Sequence, residues 1–361
     1  MDPITGFTST TVEADRTFER AARSVGLEVE RHPYPVPGPD GEPLFTAVTR
    51  LGSATAPNVV LLLSGVHGVE GFAGSGLQCG LLQSPDIVSL PDGIALVLVH
   101  LVNPWGMAWN RREDHENIDV FRNLLYHDAP SDPDPLFDEI DDALDLPHWA
   151  DPSRSDARRQ ALVHRHGLPR IVAAVRRGQH HRPKAMTYHG NGRCWATRTL
   201  HAIVDRDLAR VSRAAVIDVH TGFGASGAGL VMSYEPVGTP RYERAQRWMN
   251  GDLYTPGADF DIPAHPRPPY AFLGERIPGL EPTALILEFG TEPPDVTRDL
   301  FPANAYHHLF GDPRSEAARR VGARYRQFCY PETDEWKRAV WSRGVEVVQR
   351  VIAGLGQSAV A

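Results

Sequence analysis

Two short, nearly uninterrupted apolar runs constrain this chain most. Residues 59–63 (VVLLL) and 93–101 (GIALVLVHL) are each bounded by turn residues. Runs of that length read as strands buried on both faces. Between them, residues 72–82 carry a helical pattern with small residues in the first turn. Strand, helix and strand make a β-α-β unit of a parallel or mixed sheet with helices over both faces.

The remaining pattern extends that unit. Residues 11–26 space Phe18, Ala21, Ala22 and Val25 as a helix, capped by Thr10 or Thr11. Residues 27–34 alternate as a strand. The turn VPGPDGEP at 36–43 then returns the chain along 44–51 as the second arm of a hairpin. Further apolar strands are expected at 214–220, 229–235 and 283–289, with helices at 241–253, 316–328 and 335–355. Residues 109–124 are polar and 256–269 are a proline-rich loop. The stretch 128–156 is rich in acid and proline, with a short helix at 136–144. A basic helix at 158–178, a loop at 179–195 and a helix at 198–209 follow. Region 128–209 has no strong strands of its own, so it reads as an excursion from a single domain spanning 1–361. The expected class is α/β, with a mixed, mostly parallel central sheet flanked by helices.

Composition narrows the function. The 361 residues carry a net charge of −8 without a basic stripe, which argues against nucleic acid as a partner. No apolar run approaches the length of a membrane span and no signal pattern opens the chain, so neither membrane nor secretion is expected. Three scattered cysteines (Cys79, Cys194, Cys329) suit a reducing cytoplasm. The oligomeric state stays open, a homo-oligomer included.

Three strand ends bear polar residues that can share one cleft. The first run stops at Ser64-Gly65 and delivers His67 and Glu70. The 214–220 strand ends in Asp218-Val219-His220-Thr221-Gly222, and the 283–289 strand carries Glu288. In open α/β sheets, sites gather beyond the carboxyl ends of the strands. Two imidazoles and one carboxylate leave a zinc position open for water. A carboxylate emerging from an apolar strand, as Glu288 does, is costly unless the chemistry uses it. Alone, H-x-x-E carries little weight in a chain with 16 histidines.

The order of motifs is more specific. H-x-x-E is followed by Asn103-Pro104-x-Gly106, an arginine-bearing run ending in I-D-V-F-R-N, then D-V-H-T-G and L-I-L-E-F-G. This series resembles the zinc carboxypeptidase superfamily, and most of all a bacterial branch with the core G-V-H-G-V-E-G-F-x-G-S. The segment Tyr330-Pro331-Glu332-Thr333-Asp334-Glu335-Trp336-Lys337 also resembles that branch. The resemblance implies a carboxypeptidase-like (phosphorylase/hydrolase-like) fold and a metallopeptidase or amidohydrolase with one Zn²⁺ per chain. It implies His67, Glu70 and His220 as ligands and Glu288 as general base. It also implies Arg111 or Arg112 as the oxyanion-stabilising cation and Arg122 as the grip on a substrate carboxylate, beside Asn123. Asp218 is a buttress for His220 or simply a strand end. Arg198 and Tyr270 are further substrate-side candidates, Tyr270 as the residue over the substrate. The substrate implied is a small peptide or an N-acyl amino acid.

The chain departs from the pattern in one place. Phe121 stands where the family has an asparagine that helps to hold a free α-carboxylate. This weighs against trimming of ordinary peptides from their C-termini. A variant within the hydrolase class is an N-acyl amino-acid deacylase of the succinylglutamate desuccinylase/aspartoacylase type, and the alternative that Phe121 favours is a non-catalytic zinc- or ligand-binding homologue. Gly222–Gly227 spells G-x-G-x-x-G, but a strand pattern follows it where a dinucleotide site needs a helix.

Overall fold

The computed structural model describes residues 2–126, 128, 134–149, 151, 153–259, 267–293 and 296–357. Seven strands form one sheet: β1 (Glu30–Pro33), β2 (Phe45–Leu51), β3 (Asn58–Ser64), β4 (Ile94–His100), β5 (Arg213–Thr221), β6 (Gly229–Met232) and β7 (Glu281–Phe289). Their order is β1-β2-β4-β3-β5-β7-β6. The four central strands are parallel and the strands outside them antiparallel, so the sheet is mixed and mostly parallel at its centre.

Side chains of successive strand residues leave opposite faces, and here both faces are buried. Val60, Leu62, Leu96, Leu98, Ile217 and Leu287 pack under the helices Thr11–Ser24, Gly71–Leu82 and Asp334–Gly356. Leu61, Leu63, Val97, Val99, Val216 and Ile286 pack under Val120–Tyr126, Trp195–Asp207 and Phe272–Arg276. That two-sided burial is why β3 and β4 read as continuous apolar runs. Thr10 caps the first helix, its hydroxyl accepting from the Glu13 N–H.

Several boundaries differ from the sequence expectation. The strands expected at 27–34 and 229–235 form only Glu30–Pro33 and Gly229–Met232. The single helix expected at 158–178 is two, Ser153–His166 and Leu168–Arg177, because Gly167 takes φ +76° and Pro169 cannot continue the preceding turn. These two helices and Pro135–Leu144 share a small core of Leu136, Ile140, Ala143, Leu162 and Ala174. The polar stretch 109–124 runs into a buried helix, Val120–Tyr126, and residues 297–309, assigned to no element from the sequence, form the helix Thr297–Leu309. The acid- and proline-rich stretch and the 256–269 loop fall partly outside the described residues. A strand, β6, follows Gly222–Gly227, so that glycine run opens no dinucleotide site.

Candidate metal centre

The loop after β3 is shaped by two glycines. Gly65 takes φ +67°, a conformation that side chains disfavour. A Cβ on Gly68 would stand 2.3 Å from the Gly106 backbone. The loop thus lies directly on the Pro104–Ala108 helix, and the N–H groups of Gly68 and Val69 donate to the carbonyls of Arg112 and Arg111. A single turn, Gly68–Glu70, then turns His67 and Glu70 toward each other.

His220 comes from β5, two residues after Asp218 and on the same face. The two imidazoles and Glu70 meet below the surface, with exposures of 7%, 3% and 5% for His67, His220 and Glu70. His67 Nδ1 lies 3.0 Å from Glu70 Oε1. His220 Nδ1 lies 3.0 Å from Glu70 Oε2 and 3.1 Å from His67 Nδ1. Donors on a tetrahedral zinc at ordinary bond lengths stand about 3.3 Å apart, so this set suits such an ion. Among the described residues one other group could hold a metal, the consecutive Asp114, His115 and Glu116. There Asp114 Oδ1 already accepts from the N–H groups of Glu116 and Ile118.

The surrounding groups fix the rings. His220 Nε2 lies 2.7 Å from Asp218 Oδ2, so a carboxylate behind the ring turns Nδ1 toward Glu70 and His67. Tyr270 donates to the same Asp218 oxygen at 2.6 Å. His67 Nε2 lies 3.4 Å from Asp119 Oδ1 and 2.5 Å from Arg112 Nη2. The Phe121 ring packs edge-on against both imidazoles, 5.8 Å from His67 and 5.3 Å from His220. It sets an apolar wall beside both rings.

Electrostatics match this arrangement. Burial alone would raise the Glu70 carboxyl, but His67 and His220 beside it outweigh burial and hold it below the usual range. Burial would raise Asp119 too, and Arg112 and Arg122 hold it well below. Glu288 differs: burial and the neighbouring Glu70 push it up to about 8. Its Oε1 accepts from the Phe223 N–H at 3.1 Å. A carboxyl raised to about 8 beside His67, Glu70 and His220 is suited to moving protons.

The arginine candidates separate by contact. Arg111 is buried and donates to Glu113 and Asn117, both at 2.8 Å. Arg112 pairs with Asp119 and touches His67, so it is the one beside the imidazoles. Four substrate-side expectations meet other geometry. Arg122 pairs with Asp119 and donates from Nε to the Arg176 carbonyl at 2.9 Å, which occupies it inside the protein. Asn123 is fully buried, donating to the carbonyls of His189 and Gly192 and accepting from Cys194 and Thr197. It shapes a loop instead of facing a ligand. Arg198 is exposed and rests on the Arg193 carbonyl. Tyr270 is 2% exposed and reaches Asp218, beneath the imidazole and not over the cleft.

Asp119 is the residue that sequence reasoning missed. Its signal was an acid held between the apolar Ile118 and Val120, three residues before Arg122. Tyr234 was also missed. It packs near Phe121, with ring centroids 6.3 Å apart, and the Glu288 charge acts on it.

Comparison with known proteins gives the following. A family model described as a protein of unknown function (DUF2817) matches residues 7–343. No curated protein matches. Among solved structures, bovine thrombin-activatable fibrinolysis inhibitor in complex with tick carboxypeptidase inhibitor superposes with a TM-score of 0.52 at 11% identity, covering 96% of this chain and 97% of that one. Carboxypeptidase A from Helicoverpa armigera gives 0.47 at 13%, covering 90% and 75%. Succinylglutamate desuccinylase from Chromobacterium violaceum gives 0.37 at 19%, covering 83% and 74%. The first of these carries the likeness, which at 11% identity is one of fold alone, and the fold is carboxypeptidase-like.

Proposed function

This chain belongs to the DUF2817 family of unknown function, and within it we propose a zinc-dependent hydrolase that cleaves the amide bond of a small peptide or amino-acid conjugate. The observation that carries the reading is the meeting of His67 Nδ1, His220 Nδ1 and the Glu70 carboxylate at 3.0–3.1 Å. Glu288, raised to about 8, stands on the strand beside His220. A bound zinc ion supplies a Lewis acid and a water acidic enough to ionise near neutral pH.

The chain's own groups do the rest. With Oε1 held by the Phe223 N–H, Glu288 accepts a proton from water on its other oxygen and returns it to the departing nitrogen. Arg112 sets a cation beside His67, where the carbonyl oxygen gains negative charge. Asp218 and Asp119 orient the two imidazoles from behind. Phe121 keeps water from one side of both rings.

A second reading of the same site is an N-acyl amino-acid deacylase. Phe121, which offers no donor to an α-carboxylate, weighs against trimming of ordinary peptides from their C-termini. We read 1–361 as one hydrolase domain with region 128–209 as its excursion. No helix among the described residues is long and apolar enough to cross a membrane. Cys79, Cys194 and Cys329 are buried and unbridged, which fits a cytoplasmic setting. The test is hydrolysis of a mixed library of dipeptides and N-acyl amino acids by zinc-loaded and chelated protein, read by mass spectrometry. Zinc-dependent cleavage supports the reading, and the members cleaved decide between peptidase and deacylase. Equal cleavage with and without metal contradicts it.

A further inference from the structure

The arginine expected to hold a substrate carboxylate is occupied, and another stands near it. Arg122 gives its guanidinium to Asp119 and to the Arg176 carbonyl. Arg176 itself lies near the end of the helix Leu168–Arg177, part of the excursion. That helix end is fastened to the site. A Cβ on Gly178 would stand 2.6 Å from Arg122 Cδ, so the chain passes directly over the Arg122 side chain with φ +75°.

The Arg176 guanidinium is half-buried and has no hydrogen bond or ion pair among the described residues. The other arginines around the cleft are committed: Arg111 to Glu113 and Asn117, Arg112 and Arg122 to Asp119. Asp119 already serves two guanidinium groups and is not paired with a third. Arg176 acts electrostatically on Glu288 and Tyr234 and is repelled by Arg122 and Arg112. Burial, first, and then the neighbouring Arg122 hold its pKa below the usual arginine range. A half-buried cation among like charges is costly unless an anion joins it. A guanidinium fork matches a carboxylate with two parallel hydrogen bonds.

We propose that Arg176, on the excursion helix, recognises a carboxylate carried by the substrate, the role the sequence pattern gives to Arg122. This rests on the hydrolase reading of the metal centre and adds that neutral amides are poor substrates. The carboxylate comes from either side of the scissile bond: the acyl group, as in an N-succinyl amide, or the amine, as in an N-acyl amino acid. In either case it lies on the Glu288 and Tyr234 side of the metal centre.

Two measurements test it, both on full-length, zinc-loaded protein. The first is calorimetric binding of succinate and of its neutral diamide to wild type, Arg176→Met and Arg176→Lys, with melting temperature and zinc content recorded for each. Wild type should prefer succinate. Arg176→Met should weaken succinate by about 10- to 100-fold and leave the diamide unchanged, with zinc and melting intact. Arg176→Lys should recover part of the loss. Equal succinate binding by wild type and Arg176→Met, or no preference for succinate in the wild type, overturns the proposal.

The second is turnover of paired amides with the carboxylate on the acyl side, on the amine side, or blocked as an amide. Arg176→Met should raise KM for one carboxylate-bearing series with little change in kcat, and the series affected names the side. A rise in KM for the blocked amides as well would overturn the assignment. If the wild type cleaves nothing yet binds succinate through Arg176, the anion site stands and the hydrolase reading falls.

Discussion

His220 and Glu288 are register partners on the neighbouring parallel strands β5 and β7. Partners in a parallel pair leave the sheet on the same face, so the sheet itself sets the carboxylate beside the imidazole. Leu230 of β6 pairs with Glu288 from the other side. The burial this creates is what raises Glu288, together with Glu70. Asp218, two residues before His220, shares that face and reaches the ring from below. One strand end therefore supplies both a candidate ligand and its support.

That support predicts a metal phenotype. Asp218→Asn should weaken zinc binding by about 10- to 100-fold, and Tyr270→Phe should do so more mildly, because it removes one of the two donors on Asp218 Oδ2. Competition against a zinc-binding dye measures both. Unchanged affinity in Asp218→Asn would remove Asp218 from the centre.

His100 gives the chain an acid-sensitive point away from the site. It is fully buried, stacked on Phe18 at 4.3 Å, with Nε2 2.9 Å from Ser75 Oγ. Burial, with some help from Arg31, pushes its pKa from 6.5 down to about 3. The folded protein favours the neutral ring, so the stability is fully present above 6.5 and is lost as pH falls toward 3, by a few kcal/mol on the order of the shift. His100→Gln should flatten that limb of a melting-temperature profile between pH 6.5 and 4. A limb of unchanged slope would show that other groups carry it.

Arg122 should behave as a structural residue. Arg122→Ala leaves the buried Asp119 with one cation and frees the Arg176 carbonyl, so we expect a loss of about 3 kcal/mol in unfolding free energy. Urea unfolding checks this. A variant of wild-type stability with a selectively raised KM would return the substrate role to Arg122.

Gly68 tests the loop geometry. Gly68→Ala drives a methyl group into the Gly106 backbone, and overpacking of this kind costs about 1–3 kcal/mol. Melting temperature and zinc affinity should fall together, since His67 and Glu70 sit on that turn. A variant with native melting and native zinc affinity would contradict the close packing.

Much of this was legible in the sequence for physical reasons. β3, β4, β5 and β7 are buried on both faces, and so appear as apolar runs that end in polar residues at one edge. His67, Glu70, His220 and Glu288 stand at those ends, and strand order alone brings them together. The substrate-side residues were less legible, because their roles depend on contacts across the chain. Arg122 and Asn123 look like ligand-binding groups until the fold supplies Asp119, His189 and Gly192 as their partners. Arg176 sits in a run of basic residues, where only the break at Gly167 and the turn at Gly178 direct one of them inward. Tyr270 follows two prolines at φ +64°, and no local pattern tells whether it faces the cleft or Asp218.

The account turns on Glu288 acting as a base beside a bound metal. The most direct measurement is turnover per bound zinc for wild type and Glu288→Gln on the amides that the wild type cleaves, with zinc content determined on the same samples. The account predicts a fall of at least about 100-fold in kcat, with one zinc per chain retained. Wild-type turnover in the zinc-loaded Glu288→Gln protein would contradict it.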